Sequence, residues 1–215
     1  MIVWNNHPQG SDEWLDARRG AITGSMSKMA RDKLKNGKYS AQAMAYAMDT
    51  ARERLGGRAP QVFQNAAMRE GIEQEPHARL QYEATTGAIV QEVGFAHTSD
   101  RRFGCSVDGL VGEHGIWECK TMVSSNTLFC AMVDGDISAY RDQCLFAMWL
   151  LCRRWVDLSL WCADLQAMVT VRIERDDDEI EEFEADLMAF DALATEYAGK
   201  LEKIVFTPAE ELTAA

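Results

Sequence analysis

The sequence lacks any apolar run long enough to cross a bilayer. Its longest, Cys144 to Cys152, is nine residues and stops at Arg153-Arg154, whereas a spanning helix needs about 20. A membrane protein is not expected. The start at Met1-Ile2-Val3-Trp4 has no basic segment leading into an apolar one, so no secretion signal is expected either. None of the six cysteines (105, 119, 130, 144, 152 and 162) forms a C-x-x-C pair or has a histidine at zinc-ligand spacing. That argues against a zinc knuckle and a thioredoxin-like site. Four of the cysteines sit in apolar runs, where a reduced thiol serves as a small core residue, and disulfide-stapled scaffolds are shorter and denser in Cys. The usage points to a reducing cytoplasm. There is no internal repeat and no long low-complexity linker.

What is present suits one globular domain: 215 residues, 47% of them hydrophobic. The net charge of −12 argues at first against a nucleic-acid partner, because polyanion binders are commonly basic. The charge is segregated, however. Residues 1–70 hold 11 Lys/Arg against 7 Asp/Glu, residues 71–173 hold 8 against 13, and residues 174–215 hold 3 against 14. A phosphate-binding surface built from the first third stays open. The acidic end is either a repulsive field that steers phosphates or a solvated helix that aids solubility.

Ser11-Asp12-Glu13 before Trp14 and Leu15 predicts a capped helix over 11–17, and a second helix is expected over 25–31. Residues 31–38, basic and broken by Asn36-Gly37, form an exposed loop. Helical spacing resumes over 41–55 and again over 65–82, interrupted or bent near Gly71 and Pro76, with a stop at Thr85-Thr86-Gly87. Then come β-rich runs at 89–97, 102–107, 115–122, 155–163 and 167–173, which fit one sheet, with an apolar buried helix over 139–152. From Ile180 through Phe183, Leu187, Phe190, Leu193, Tyr197 and Leu201 to Ile204, apolar residues recur every three or four positions. The expected fold is α/β: a central mixed, roughly five-stranded sheet flanked by helices, a helical N-terminal part over 1–87, a sheet region over 88–173 and a long acidic C-terminal helix over 174–215.

The chemistry gathers at Ser106-Val107-Asp108-Gly109-Leu110 and Glu118-Cys119-Lys120. An Asp at the end of one strand, with Glu and Lys at alternate positions of the next, brings two carboxylates and an ammonium to one sheet edge. Carboxylate oxygens suit hard divalent ions, which polarise a phosphoryl oxygen and acidify a bound water, and the Lys would orient or help deprotonate that water while offsetting charge in the transition state. On spacing alone, an exposed Glu–Lys pair on a surface strand accounts for the same residues.

Further blocks narrow the reading. Trp14-Leu15-Asp16-Ala17-Arg18-Arg19-Gly20-Ala21-Ile22-Thr23-Gly24-Ser25, Gly71-Ile72-Glu73-Gln74-Glu75 and Tyr140-Arg141-Asp142-Gln143, together with the two segments above, resemble the YqaJ-type viral recombinases, the lambda exonuclease family within the PD-(D/E)XK nucleases. The resemblance implies a restriction-endonuclease-like core and a phage-type alkaline exonuclease, which degrades linear duplex DNA 5′ to 3′ to mononucleotides and leaves 3′ overhangs for a single-strand annealing partner. It implies Mg²⁺, with Mn²⁺ able to substitute and two ions bound. Asp108, Glu118 and the Cys119 backbone carbonyl match the metal ligands, Glu75 an acid that helps hold the ions, and Lys120 the group that positions the attacking water. Tyr140 and Gln143 match an element beside the scissile end, though polar residues there also suit a helix cap. Arg18, Thr23 and Ser25 match a 5′-phosphate pocket. Lys35 matches a residue reaching the duplex, and Met68 matches a wedge at the terminal bases, a position that on a helix is equally a core residue. Asn126 and Leu145 depart from the family pattern. A ring-shaped homotrimer in the cytoplasm of a bacterial host, encoded by a prophage, completes what the resemblance implies. Two rival readings remain: an endonuclease or repair nuclease on the same core, and a non-catalytic DNA-end-binding module.

Overall fold

The computed structural model describes residues 1–58 and 66–205. Its strands in chain order are β1 (Ile2–Asn5), β2 (Ile22–Thr23), β3 (Val90–Gln91), β4 (Phe95–Thr98), β5 (Phe103–Cys105), β6 (Gly109–Val111), β7 (Gly115–Thr121), β8 (Trp155–Cys162) and β9 (Ala167–Glu174). They form two sheets, one of five strands in the order β3-β6-β7-β8-β9 and one of four in the order β1-β4-β5-β2. In the larger sheet β7 and β8 are parallel and every other pair is antiparallel, so the sheet is mixed as expected.

Sheet membership differs from the sequence reading. The run at 89–97 is two strands in different sheets: β3 pairs with β6, while β4 pairs with β1 from the N-terminus. The run at 102–107 shortens to β5 and joins the smaller sheet, and β6 supplies the missing neighbour of β7. Period-two alternation reports that a segment is extended but carries no information about its partner, and a three-residue strand has too few positions to show a period.

The helices are α1 (Asp12–Arg18), α2 (Ser27–Ala30), α3 (Ala41–Arg54), α4 (Ala66–Thr86), α5 (Ser125–Leu128), α6 (Arg141–Leu151) and α7 (Asp177–Val205). Ser11 caps α1 by accepting from the Trp14 N–H, and Ser40 caps α3 by accepting from Ala43. The helix expected to begin at Ser25 starts later. Ser25 lies within a 3-10 turn, Gly24–Met26, and α2 follows it, so Ser25 is not a helix cap. Of the interruption or bend expected near Gly71 and Pro76, the interruption does not occur: α4 runs continuously through both and stops before Gly87, whose φ of +71° suits a residue without a Cβ. Residues 125–133, which the sequence left unassigned, form α5 and a π-helical turn, Phe129–Val133.

Helix α6 is buried along Cys144, Leu145, Phe146, Ala147, Met148 and Leu150, and it packs on strands of both sheets and on α7. The face of α7 built from Ile180, Phe183, Leu187, Phe190 and Ala194 closes that core, and Ala43, Ala47 and Ala51 of α3 are small enough for α7 to approach closely. On the other face of the larger sheet, α4 covers Trp117 and Trp161 with Ala78 and Tyr82. Gly109 begins β6 where a Cβ would run into the Val90 side chain, so the hairpin that presents Asp108 depends on its absence.

Candidate active site

Alternation along β7 divides its side chains between the two faces. Trp117 and Cys119 join the cluster under α4, while Glu118 and Lys120 point toward α6. Lys120 Nζ donates to Glu118 Oε1 at 2.9 Å, and Gln143 Nε2, from the first turn of α6, donates to the same oxygen at 2.5 Å. Asp108 precedes β6, and its Oδ2 accepts from the Cys119 backbone N–H at 2.7 Å, which pins it against β7. The account of Glu118–Lys120 as an exposed surface pair fails, because the Glu118 side chain is 4% exposed.

Glu75 approaches from α4. It is half-buried and makes no hydrogen bond or ion pair among the described residues, yet it lies close enough to Asp108 and Glu118 for their charges to repel. Burial, and then the charge of Asp108, push both Glu75 and Glu118 up to about 7. Burial likewise raises Asp108. Burial would lower the Lys120 ammonium, but Glu118 and Asp108 outweigh it and hold Lys120 charged well above its usual range.

Three mutually repelling carboxylates against one ammonium make a site that a cation would relieve. Asp108 and Glu118 offer hard oxygens, with the Cys119 carbonyl alongside, and an oxygen-only donor set suits Mg²⁺ or Mn²⁺ rather than zinc. Among the described residues no group of three or more His, Cys, Asp or Glu side chains is gathered closely enough to hold an ion unaided. The residues fit an ion completed by backbone carbonyl and water.

The guanidinium of Arg18 lies 4.3 Å from the Trp14 ring centroid and 5.4 Å from that of Phe95, and no carboxylate pairs with it among the described residues. Burial lowers its pKa. Thr23 is buried and its hydroxyl lies 3.5 Å from that of the exposed Ser25, while its N–H donates to the Tyr46 hydroxyl. The buried Cys105 thiol, pushed up by burial, lies within electrostatic range of both Glu118 and Arg18. A cleft of about 390 Å³ opens beside them, lined by Trp14, Glu75, Phe95, Ser106 and Asp108 among others. The Ser106 hydroxyl is buried there without a partner.

Three further expected residues are placed on other parts of the chain. Tyr140 occupies the N-cap position of α6, makes no side-chain cap bond and packs against the core. Lys35 is exposed on the loop between α2 and α3. Met68 is 44% exposed at the start of α4, so it is not a core residue. Trp14 and Phe95 were missed as partners of Arg18. Trp14 stands four residues before Arg18, a spacing that places both on one helix face and could have flagged it, whereas nothing in the sequence ties Phe95 to either.

The model of the YqaJ-like viral recombinase domain matches residues 13–151. Among solved structures, the alkaline exonuclease LHK-Exo from Laribacter hongkongensis is 32% identical, with 91% of this chain and 98% of that chain covered and a TM-score of 0.78. The same enzyme in complex with dAMP gives a TM-score of 0.79. A phage-related exonuclease from Haemophilus somnus 129PT is 16% identical over 86% of this chain and 96% of that one, with a TM-score of 0.66, a likeness of fold alone. No curated protein matches the chain.

Proposed function

The chain belongs to the YqaJ-like viral recombinase family, and from that premise we propose that it is a phage-type alkaline exonuclease that digests linear duplex DNA from its 5′ ends to mononucleotides. The observation that carries this is the convergence of Asp108, Glu118, Lys120 and Gln143 at one end of β7, with Glu75 facing them from α4.

Asp108, Glu118 and the Cys119 carbonyl, with Glu75 in support, would hold the divalent ions, two Mg²⁺ replaceable by Mn²⁺. When bound, such ions polarise the phosphoryl oxygen and acidify a coordinated water. The protein's own groups do the rest. Lys120 stays protonated beside two carboxylates, so it orients the attacking water and offsets negative charge in the transition state instead of accepting a proton. Gln143 fixes the rotamer of Glu118 by donating to Oε1, and Tyr140 holds the start of α6 against the core. Arg18, lodged between Trp14 and Phe95 without a competing carboxylate, receives the 5′ phosphate together with the hydroxyls of Thr23 and Ser25. The adjoining cleft of about 390 Å³ has room for the released nucleotide.

Lys35 would contact backbone phosphate, and Met68 would press against the terminal base pair. The family resemblance extends the proposal to a ring-shaped trimer that hands its 3′ overhang to an annealing protein in the cytoplasm of a bacterial host. No helix among the described residues is long and apolar enough to cross a membrane.

The test uses end-labelled linear duplex with and without a 5′ phosphate, in Mg²⁺ or EDTA, beside a closed plasmid. Mononucleotide release from phosphorylated linear ends in Mg²⁺, with the plasmid intact, is expected. Cutting of the plasmid would replace the reading with an endonuclease, and absence of any cleavage would leave an end-binding module.

A further inference from the structure

Glu75 has no hydrogen bond among the described residues to fix it, so its place near Asp108 and Glu118 depends on where α4 lies along its axis. Apolar packing specifies that poorly: of the 21 residues of α4, only Ala78 and Tyr82 are buried. Polar contacts do specify it: Glu83 accepts from the Val90 N–H and Arg79 pairs with Glu92, Val90 and Glu92 both lying just beyond the end of α4, and two further contacts reach the middle of the sheet. The Tyr82 hydroxyl donates to Asp157 Oδ2 at 2.6 Å, and the Trp161 indole N–H donates to Gln74 Oε1 at 3.3 Å. Both sheet partners are on β8, whose residues Leu158 and Leu160 are in register with Glu118 and Lys120. The two contacts therefore straddle the level of the catalytic pair.

The spans agree. Gln74 and Tyr82 are eight residues apart, about 12 Å along a helix axis, and Asp157 and Trp161 are four apart, about 13 Å along a strand. Helix and strand run antiparallel between two matched fastening points, and a slip of one helical residue would break both. Asp157 is itself immobilised: it is 4% exposed and accepts two bonds from Arg172 of β9, both at 2.8 Å. A buried carboxylate gives little net stability over an apolar replacement, so orientation is what such a group contributes best.

We propose that Tyr82–Asp157 and Gln74–Trp161 form a register clamp that positions Glu75 for divalent-ion binding, with Tyr82 and Gln74 acting as positioning residues. The inference rests on the reading of Asp108, Glu118 and Glu75 as the ion site.

The test is Mn²⁺ binding to the full chain, followed by electron paramagnetic resonance without DNA, for Tyr82→Phe, Gln74→Met and the double variant, each also combined with Glu75→Gln. The double variant is expected to bind Mn²⁺ about tenfold more weakly, as loss of residues that orient metal ligands commonly does. In the Glu75→Gln background the same substitutions are expected to change nothing further. Tyr82→Phe and Gln74→Met binding like the wild type while Asp108→Asn loses the ion would overturn the clamp alone. Asp108→Asn binding as well as the wild type would overturn the ion site and the clamp with it. Equal weakening with and without Glu75 would reduce the contacts to fold support and also overturn the proposal. Gln74→Met, at a partly exposed position, keeps the test open should Tyr82→Phe fail to fold.

Discussion

Raising the pH from 5 to 8 in EDTA is expected to destabilise the ion-free protein, and the sign follows from the site. Glu118 rises from an ordinary 4.5 to about 7 because it is buried and faces Asp108. A carboxyl whose folded pKa is raised contributes stability that is complete below the unfolded pKa and is lost as pH climbs through the folded one. The window is therefore about pH 4.5 to 7. At about 1.4 kcal/mol per tenfold change in proton affinity, Glu118 alone accounts for about 3 kcal/mol, which in a chain of this length lowers Tm by about 6–12 °C. Glu75 adds to the loss in the same window, by less because it is partly solvated. Acids with lowered values, such as Asp186 beside Lys33 and Arg31, act only below their usual range and do not enter. Mg²⁺ at about 100 times its Kd should restore about 2.7 kcal/mol at pH 8 and much less at pH 5, where protons occupy the site. Thermal melts at matched ionic strength measure both effects. A Tm that is flat or rising from pH 5 to 8 in EDTA, or a Mg²⁺ response equal at both pH values, would refute the reasoning.

Lys120→Ala is expected to cut turnover by about 100-fold or more while end binding, followed by fluorescence anisotropy in Ca²⁺, stays within a few-fold of the wild type. Arg18→Ala should slow digestion of 5′-phosphorylated ends about tenfold more than that of 5′-hydroxyl ends, since a hydrogen bond to a charged group is worth about 1.5–3 kcal/mol; equal slowing would remove the phosphate pocket. Gly109→Ala forces a Cβ against the Val90 side chain and should destabilise the fold by about 1–3 kcal/mol in urea titration, with Val90→Ala in the same chain recovering part of the loss.

The long helices were legible because their signals are local. Ser11 and Ser40 stand at their caps, and the spacing from Ile180 to Ile204 is that of α7. Strands β7, β8 and β9 were legible for the same reason. What was not legible depends on partners distant in the chain: β1 joining β4, the split between β3 and β4, and Phe95 beside Arg18. Pro76 illustrates the opposite error. Local propensity argues for a break at a proline, but Gln74 and Tyr82 fasten the helix on both sides of it, and tertiary contacts override the lost backbone bond. In the site, the family motifs pointed to Glu118, Lys120, Asp108, Glu75 and Gln143 together, although the spacing of Glu118 and Lys120 alone could not separate an active site from a surface pair. Burial removes the surface-pair account, and burial of a single Glu is a property of the whole fold.

Charge gives the last step of synthesis, because the net value of −12 conceals how the cations are distributed. The acidic α7 is neither a free tail nor a uniformly solvated face. Its buried Asp191 receives Arg54 and Arg102, each at 2.6 Å, Asp186 receives Arg31 and Lys33, and Glu179 receives Arg141. Three of the eleven Lys/Arg of the first third, Arg31, Lys33 and Arg54, are thus paired with α7 and withdrawn from phosphate binding. Arg18 is different, since Trp14 and Phe95 flank it and no carboxylate forms an ion pair with it among the described residues, while Glu118 of the site lies within electrostatic range of the same Cys105 thiol. Without bound cations, three acids facing one lysine would repel a phosphodiester from the place where it must be cut. Under the proposed function, Arg18 would draw in the 5′ end, and the scissile phosphate would follow only once divalent ions had reversed the local field. On that proposal, substrate engagement and ion binding would be coupled by electrostatics before any bond is broken.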